Sequence, residues 1–154
     1  MFNDPLIWIA GVGLLGTLLC LSVIDAREFR LPNILTFPLI AAGLIYNFIS
    51  SVDFYPYLLG AVIAYAAFWL IEHGYRLIRK TDGLGRGDAK LLAAGGAWCA
   101  WSALPFIVLI GSASALIWLV LTHTSRPQTQ GIRLPFGPFL SFAIMAVWIS
   151  QNIA

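Results

Sequence analysis

Asp25 and Asp88 are the two residues of this sequence on which chemistry is most readily built. Asp25 ends the first apolar run, and Asp88 lies in the turn Gly85-Arg86-Gly87-Asp88-Ala89-Lys90, which opens directly onto another. A carboxylate at the edge of an apolar slab is costly, so it marks a functional site whose partner should be sought. Two carboxylates a few ångströms apart do not both ionise easily, and one proton is then shared between them. Such a pair can activate water with one member while the other protonates a carbonyl and later a leaving amine. Aspartic proteases work in this way.

Each acid also has a plainer reading. An Asp before a helical run serves as an N-cap, and Asp25 can sit at the water boundary beside Arg27 or Arg30. Helix dipoles add an asymmetry, because an anion is favoured at a helix N-terminus and disfavoured near a C-terminus, so Asp88 is expected to be the more acidic member. Around it Gly85 and Gly87, with Gly83 before them, permit positive φ and close approach of a substrate backbone. Lys90 follows Asp88 by two, points away from it on a helix, and can meet lipid headgroups or an acidic substrate side chain, headgroups being the expected role. Two further segments lead into helices: Leu31-Pro32-Asn33-Ile34-Leu35-Thr36 and Leu134-Pro135-Phe136-Gly137-Pro138-Phe139-Leu140.

The elements that must position these residues are membrane helices. Of 154 residues 60% are hydrophobic and only 10% charged, far more apolar than a soluble domain. Each crossing needs roughly 20 residues, and apolar runs at 6–24, 34–50, 57–72, 91–103, 104–121 and 136–153 predict six transmembrane helices. The fold class is therefore all-α and polytopic, a single membrane-embedded domain over residues 1–154 with no room for a sizeable soluble one. The fourth run is short, and the turn Trp101-Ser102-Ala103-Leu104-Pro105 separates it from the fifth, with Pro105 suited to the first turn of a new helix. Pro38 is expected to bend the second.

All nine Lys and Arg residues fall in or beside the first, third and fifth connections. The positive-inside rule then places those connections in the cytoplasm and both termini outside. On that topology Asp25 and Asp88 share one face and a similar depth, which is what makes a pair possible. The basic residues serve topology, so no nucleic-acid partner is expected. Cys20 and Cys99 lie inside apolar runs without a CxxC pattern, which suggests neither metal nor disulfide. Gly11-Val12-Gly13-Leu14-Leu15-Gly16 matches a dinucleotide-binding string, but small residues inside an apolar run serve helix packing. The first run has no basic residues before it and is read as a retained span.

Taken together, Asp25 with Pro32-Asn33 seven and eight residues on, Gly85-Arg86-Gly87-Asp88-Ala89-Lys90-Leu91-Leu92 leading into Gly96-Ala97-Trp98, and Pro135-Phe136-Gly137-Pro138-Phe139-Leu140 closely resemble the type IV prepilin peptidases, membrane aspartic proteases with a GxGD motif. The resemblance covers about residues 20 to 140, in the family's order and spacing. It implies that Asp25 and Asp88 are catalytic and that Gly85, Gly87, Lys90, Pro32, Asn33, Pro135, Gly137 and Pro138 shape the site. The implied reaction is hydrolysis of the leader peptide of type IV prepilins or pseudopilins at the cytoplasmic face of a bacterial inner membrane, with no metal or cofactor. Longer members carry a cytoplasmic domain with paired CxxC motifs, associated with N-methylation of the new terminus, between their first two helices. Here only Ala26 to Leu31 separates Asp25 from Pro32, so methyl transfer is not expected. Ala100 stands where the family often has glycine and is expected to affect packing more than chemistry. Two other readings use the same acids: a preflagellin- or presenilin-like GxGD protease, and a small proton or cation transporter. The number of protomers is left open.

Overall fold

The computed structural model describes residues 5–50, 53–79, 86–123 and 134–153. The helices are α1 (Pro5–Glu28), α2 (Asn33–Ser50), α3 (Tyr55–Arg79), α4 (Arg86–Cys99), α5 (Leu104–His123) and α6 (Gly137–Ile153), with a 3₁₀ turn at Trp101–Ala103 before α5. Among the described residues there is no strand. Three helical stretches, Pro5–Glu28, Asn33–Ser50 and Trp101–Thr122, are long and apolar enough to cross a membrane.

Among the boundaries that differ from the sequence expectation, two bear on an acid. The first helix does not stop at residue 24. It runs to Glu28, where Phe29 adopts φ 53 and donates its N–H to the Asp25 carbonyl at 2.9 Å, a left-handed helix stop. The Pro32 carbonyl then accepts the N–H groups of Leu35 and Thr36 and starts α2. Asp25 is thereby in the last turn of α1. The fourth helix begins at Arg86 rather than 91, so Gly87, which reads as part of a loop, lies within the helix. Asp88 is its third residue and so lies inside the first turn, not at its cap.

The centre of the bundle is α4, which packs against α2, α3, α5 and α6. Its small residues set how close they come. A Cβ on Gly96 would lie 2.3 Å from the Gly60 carbonyl group, so α3 and α4 touch backbone to backbone. The Trp98 ring sits over Gly43 of α2 and donates its Nε1–H to the Leu39 carbonyl at 2.9 Å. Buried Asn47 bridges the same two helices, donating to the Gly43 and Ala97 carbonyls at 3.0 Å each. Pro38 remains within α2, as expected.

Ala100 links α4 to the 3₁₀ turn with φ 67 and ψ 168, a conformation that glycine adopts freely and that costs other residues about 1–3 kcal/mol. Its consequence is backbone strain rather than the packing change expected from sequence. Ala100→Gly should raise the stability of the purified protein by about 1 kcal/mol, after allowing for the greater chain entropy of glycine. Thermal denaturation in detergent checks it, and a lower midpoint would contradict the strain.

Candidate active site

On α1 the buried residues Leu14, Leu18, Leu21 and Asp25 recur every three or four positions, one face of a helix turned to the core. That face ends on the acid. Asp25 is 6% exposed and does not lie at the water boundary beside Arg27 or Arg30. Its Oδ2 accepts the N–H of Gly137 at 2.8 Å. Gly137 is the first residue of α6, where N–H groups lack partners within the helix and the helix dipole presents positive charge. The approach requires glycine, since a Cβ at position 137 would stand 2.6 Å from that oxygen.

Asp88 is presented by α4 toward the same place. Two turns further on, Gly95 faces Ile144 of α6 and Ile107 of α5, so the acid, seven residues earlier, looks to the side where α6 begins. Asp88 precedes the apolar stretch that starts at 91. Burial, and after it the charge of Asp25, pushes its carboxyl up to about 7. The two acids therefore sense each other electrostatically, as the shared-proton reading requires. The rise at Asp88 runs against the expectation that it is the more acidic member; the hydrogen bond from Gly137 favours the anion on Asp25 and burial opposes it there.

Other residues named from sequence surround this pair. Gly87 lies against Leu31, whose Cβ would be 2.8 Å from a Cβ added there. The Lys90 ammonium donates to Asn33 Oδ1 and sits 5.5 Å from the Phe37 ring centroid, so it binds within the protein rather than only reaching outwards. Pro32 supplies the carbonyl that opens α2. Pro135 and Pro138 are half-buried on either side of Gly137, Pro138 falling in the first turn of α6, where its missing N–H costs little. Gly85, with Gly83, lies outside the described residues. Leu31 and the fully buried Thr36 belong to this neighbourhood and were named from sequence only as the ends of the segment 31–36, not as site residues. Their signal was weak, a Leu and a Thr among many apolar neighbours.

Among the described residues no group of three His, Cys, Asp or Glu is placed to hold a metal ion. A cavity lined by Tyr46, Asn47, Trp98, Trp148 and Gln151 opens at the other end of the bundle. It lies roughly 27 Å from Asp25 along α1 at 1.5 Å per residue, and no carboxylate lines it.

Comparison with known proteins bears on the same residues. The profile of the type IV leader peptidase family matches residues 12–120, more than half of the chain and the part that holds both aspartates. The chain is similar to the prepilin leader peptidase/N-methyltransferase of Dickeya chrysanthemi, 41% identical over 143 residues, which are 88% of this chain and 50% of that protein. The proteins of the same name from Escherichia coli K12 and Pseudomonas aeruginosa PAO1 are each 39% identical. The first match covers 86% of this chain and 61% of the relative, the second 94% and 51%. The chain thus spans about half the length of the curated relatives it matches. No solved structure gave a match. With the profile spanning both acids and identities near 40% over most of its length, the chain belongs to the type IV leader peptidase family.

Proposed function

We propose that the protein is a membrane aspartic endopeptidase that removes the leader peptide of type IV prepilins or pseudopilins. One observation carries the reading: acids from the last turn of α1 and the first turn of α4 lie within electrostatic reach of each other, and the N-terminus of α6 binds one of them. In the proposed reaction the Asp25 carboxylate takes a proton from water as it attacks the scissile carbonyl, and the Asp88 carboxylic acid donates its proton to the carbonyl oxygen. Collapse of the tetrahedral intermediate returns a proton to the leaving amine. Water supplies the oxygen of the new carboxylate, so the step balances without a metal.

The proposal includes six crossings of a bacterial inner membrane, with both termini outside and the acids at the cytoplasmic face. The one-sided basic residues support that orientation. Of the two activities in the relatives' name, only the peptidase is assigned to the whole domain, 1–154. Co-expression with a type IV prepilin tests it: the parent should convert the precursor to mature pilin, cut after the leader glycine. Intact precursor beside well-folded parent, or ion flux through liposomes without cleavage, would overturn the reading.

A further inference from the structure

We propose that Lys90 is a positioning residue of this site: by tying the first turn of α4 to the first turn of α2, it holds Asp88 at the height of Asp25. The inference rests on the peptidase reading and deepens it. Asp88 occupies the first turn of a helix, where N–H groups lack intrahelical partners and the backbone frays. A catalytic acid there needs a tie from outside its own helix.

Gly87, Lys90, Leu91 and Ala94 recur at the spacing of a single helical face, on which Lys90, two residues after Asp88, points away from the acid. Leu91 and Ala94 are fully buried, and they seat that face. At its upper end two contacts reach the start of α2. The Gly87 backbone rests on Leu31. The Lys90 ammonium is held by Asn33 Oδ1 and over the ring of Phe37, one turn further along α2, a cation–π position. Asn33 begins α2 and Leu31 precedes it in the short connection from α1, the helix that carries Asp25. The clamp therefore references the Asp88 turn to the chain segment that follows Asp25. Lys90 does not touch the reacting groups and acts through the backbone of α4.

Two other roles are open to a lysine here, contact with an acidic substrate side chain and contact with anionic headgroups, and kinetics separates all three. The protein is reconstituted in phosphatidylcholine vesicles, with and without phosphatidylglycerol, and kcat and KM for a purified prepilin are measured for the parent, Lys90→Met, Asn33→Ala, the double variant and Lys90→Arg. A positioning clamp predicts that each of the first two single variants lowers kcat about three- to tenfold with KM unchanged. That range corresponds to a charge-assisted hydrogen bond discounted for exposure. The double variant should be no worse than the poorer single one, since both remove one interaction, and Lys90→Arg should recover most of the loss.

A raised KM in Lys90→Met beside an unaffected Asn33→Ala would assign Lys90 to the substrate and overturn the clamp. A defect that vanishes when phosphatidylglycerol is omitted would assign it to headgroups and do the same. So would multiplicative effects of the two variants, or unchanged kinetics in Lys90→Met while the parent cleaves. An inactive parent would instead sink the peptidase reading itself.

Discussion

Leader cleavage is expected to fall at least about a thousandfold when Asp88 is replaced by Asn, and as far when Asp25 is replaced. General acid and base roles are each worth about a hundred- to ten-thousandfold. Because the two acids act within one transition state, the double variant should be no slower than the poorer single one. Stability should move the other way or not at all. Asp25 is buried, and Asn at that position keeps an oxygen to accept the Gly137 N–H while removing a charge that costs free energy in an apolar surround. A steady or raised thermal midpoint beside lost activity would separate chemistry from folding, a trade common at functional sites. The check is kcat/KM on a purified prepilin together with the denaturation midpoint of each variant.

Gly137→Ala should be nearly as damaging although it alters no titratable group. The new Cβ would stand 2.6 Å from Asp25 Oδ2 and 3.0 Å from Asp25 Cβ, closer than unbonded atoms approach. Either the carboxylate or the start of α6 must shift, and the 2.8 Å hydrogen bond is lost or stretched. Displacement of a catalytic group by an ångström costs about a hundredfold, so kcat should fall about that much, with overpacking taking about 1–3 kcal/mol from stability. Gly111→Ala is the matched control. A Cβ there meets its nearest neighbours at 3.5 Å or more, and activity should stay within twofold of the parent. Equal activity of the two variants would remove Gly137 from the site.

The number and order of helices were legible in the sequence because crossing a membrane imposes long apolar runs, and charges gather between them. The pairing of Asp25 with Asp88 was argued from the side on which the basic residues fall, and the fold places Asp25 close enough for its charge to act on Asp88. What sequence reasoning missed depends on contacts between distant segments. The charge asymmetry of the pair was inferred from the ends of the helices that carry the acids, whereas the donor to Asp25, Gly137, belongs to a third helix 112 residues away. Gly137 was named for its motif, and its role as the donor to Asp25 needed the fold.

The start of α4 was placed too late because Gly87 reads from its neighbours as part of a turn, whereas in the fold it is helical and rests on Leu31. Ala100 was noticed as a departure from family pattern, but only its backbone angles show why glycine suits the position. Lys90 was named from sequence for lipid headgroups and, by resemblance, for the site, and nothing local to it announces Asn33, 57 residues away.

The central claim is that Asp25 and Asp88 form one coupled pair in which Asp88 holds the proton. Infrared titration of the protonated carboxyl band, in the parent and in each Asp→Asn variant, tests this most directly. In the parent the band should be present below pH 7 and fade as pH rises through about 7, the value to which burial and Asp25 push Asp88. Asp88→Asn should abolish that transition. Asp25→Asn should keep it but move its midpoint to lower pH, because the neighbouring negative charge that favours the protonated form is gone. A midpoint unmoved in Asp25→Asn, or a band that survives Asp88→Asn and disappears with Asp25→Asn, would contradict the account.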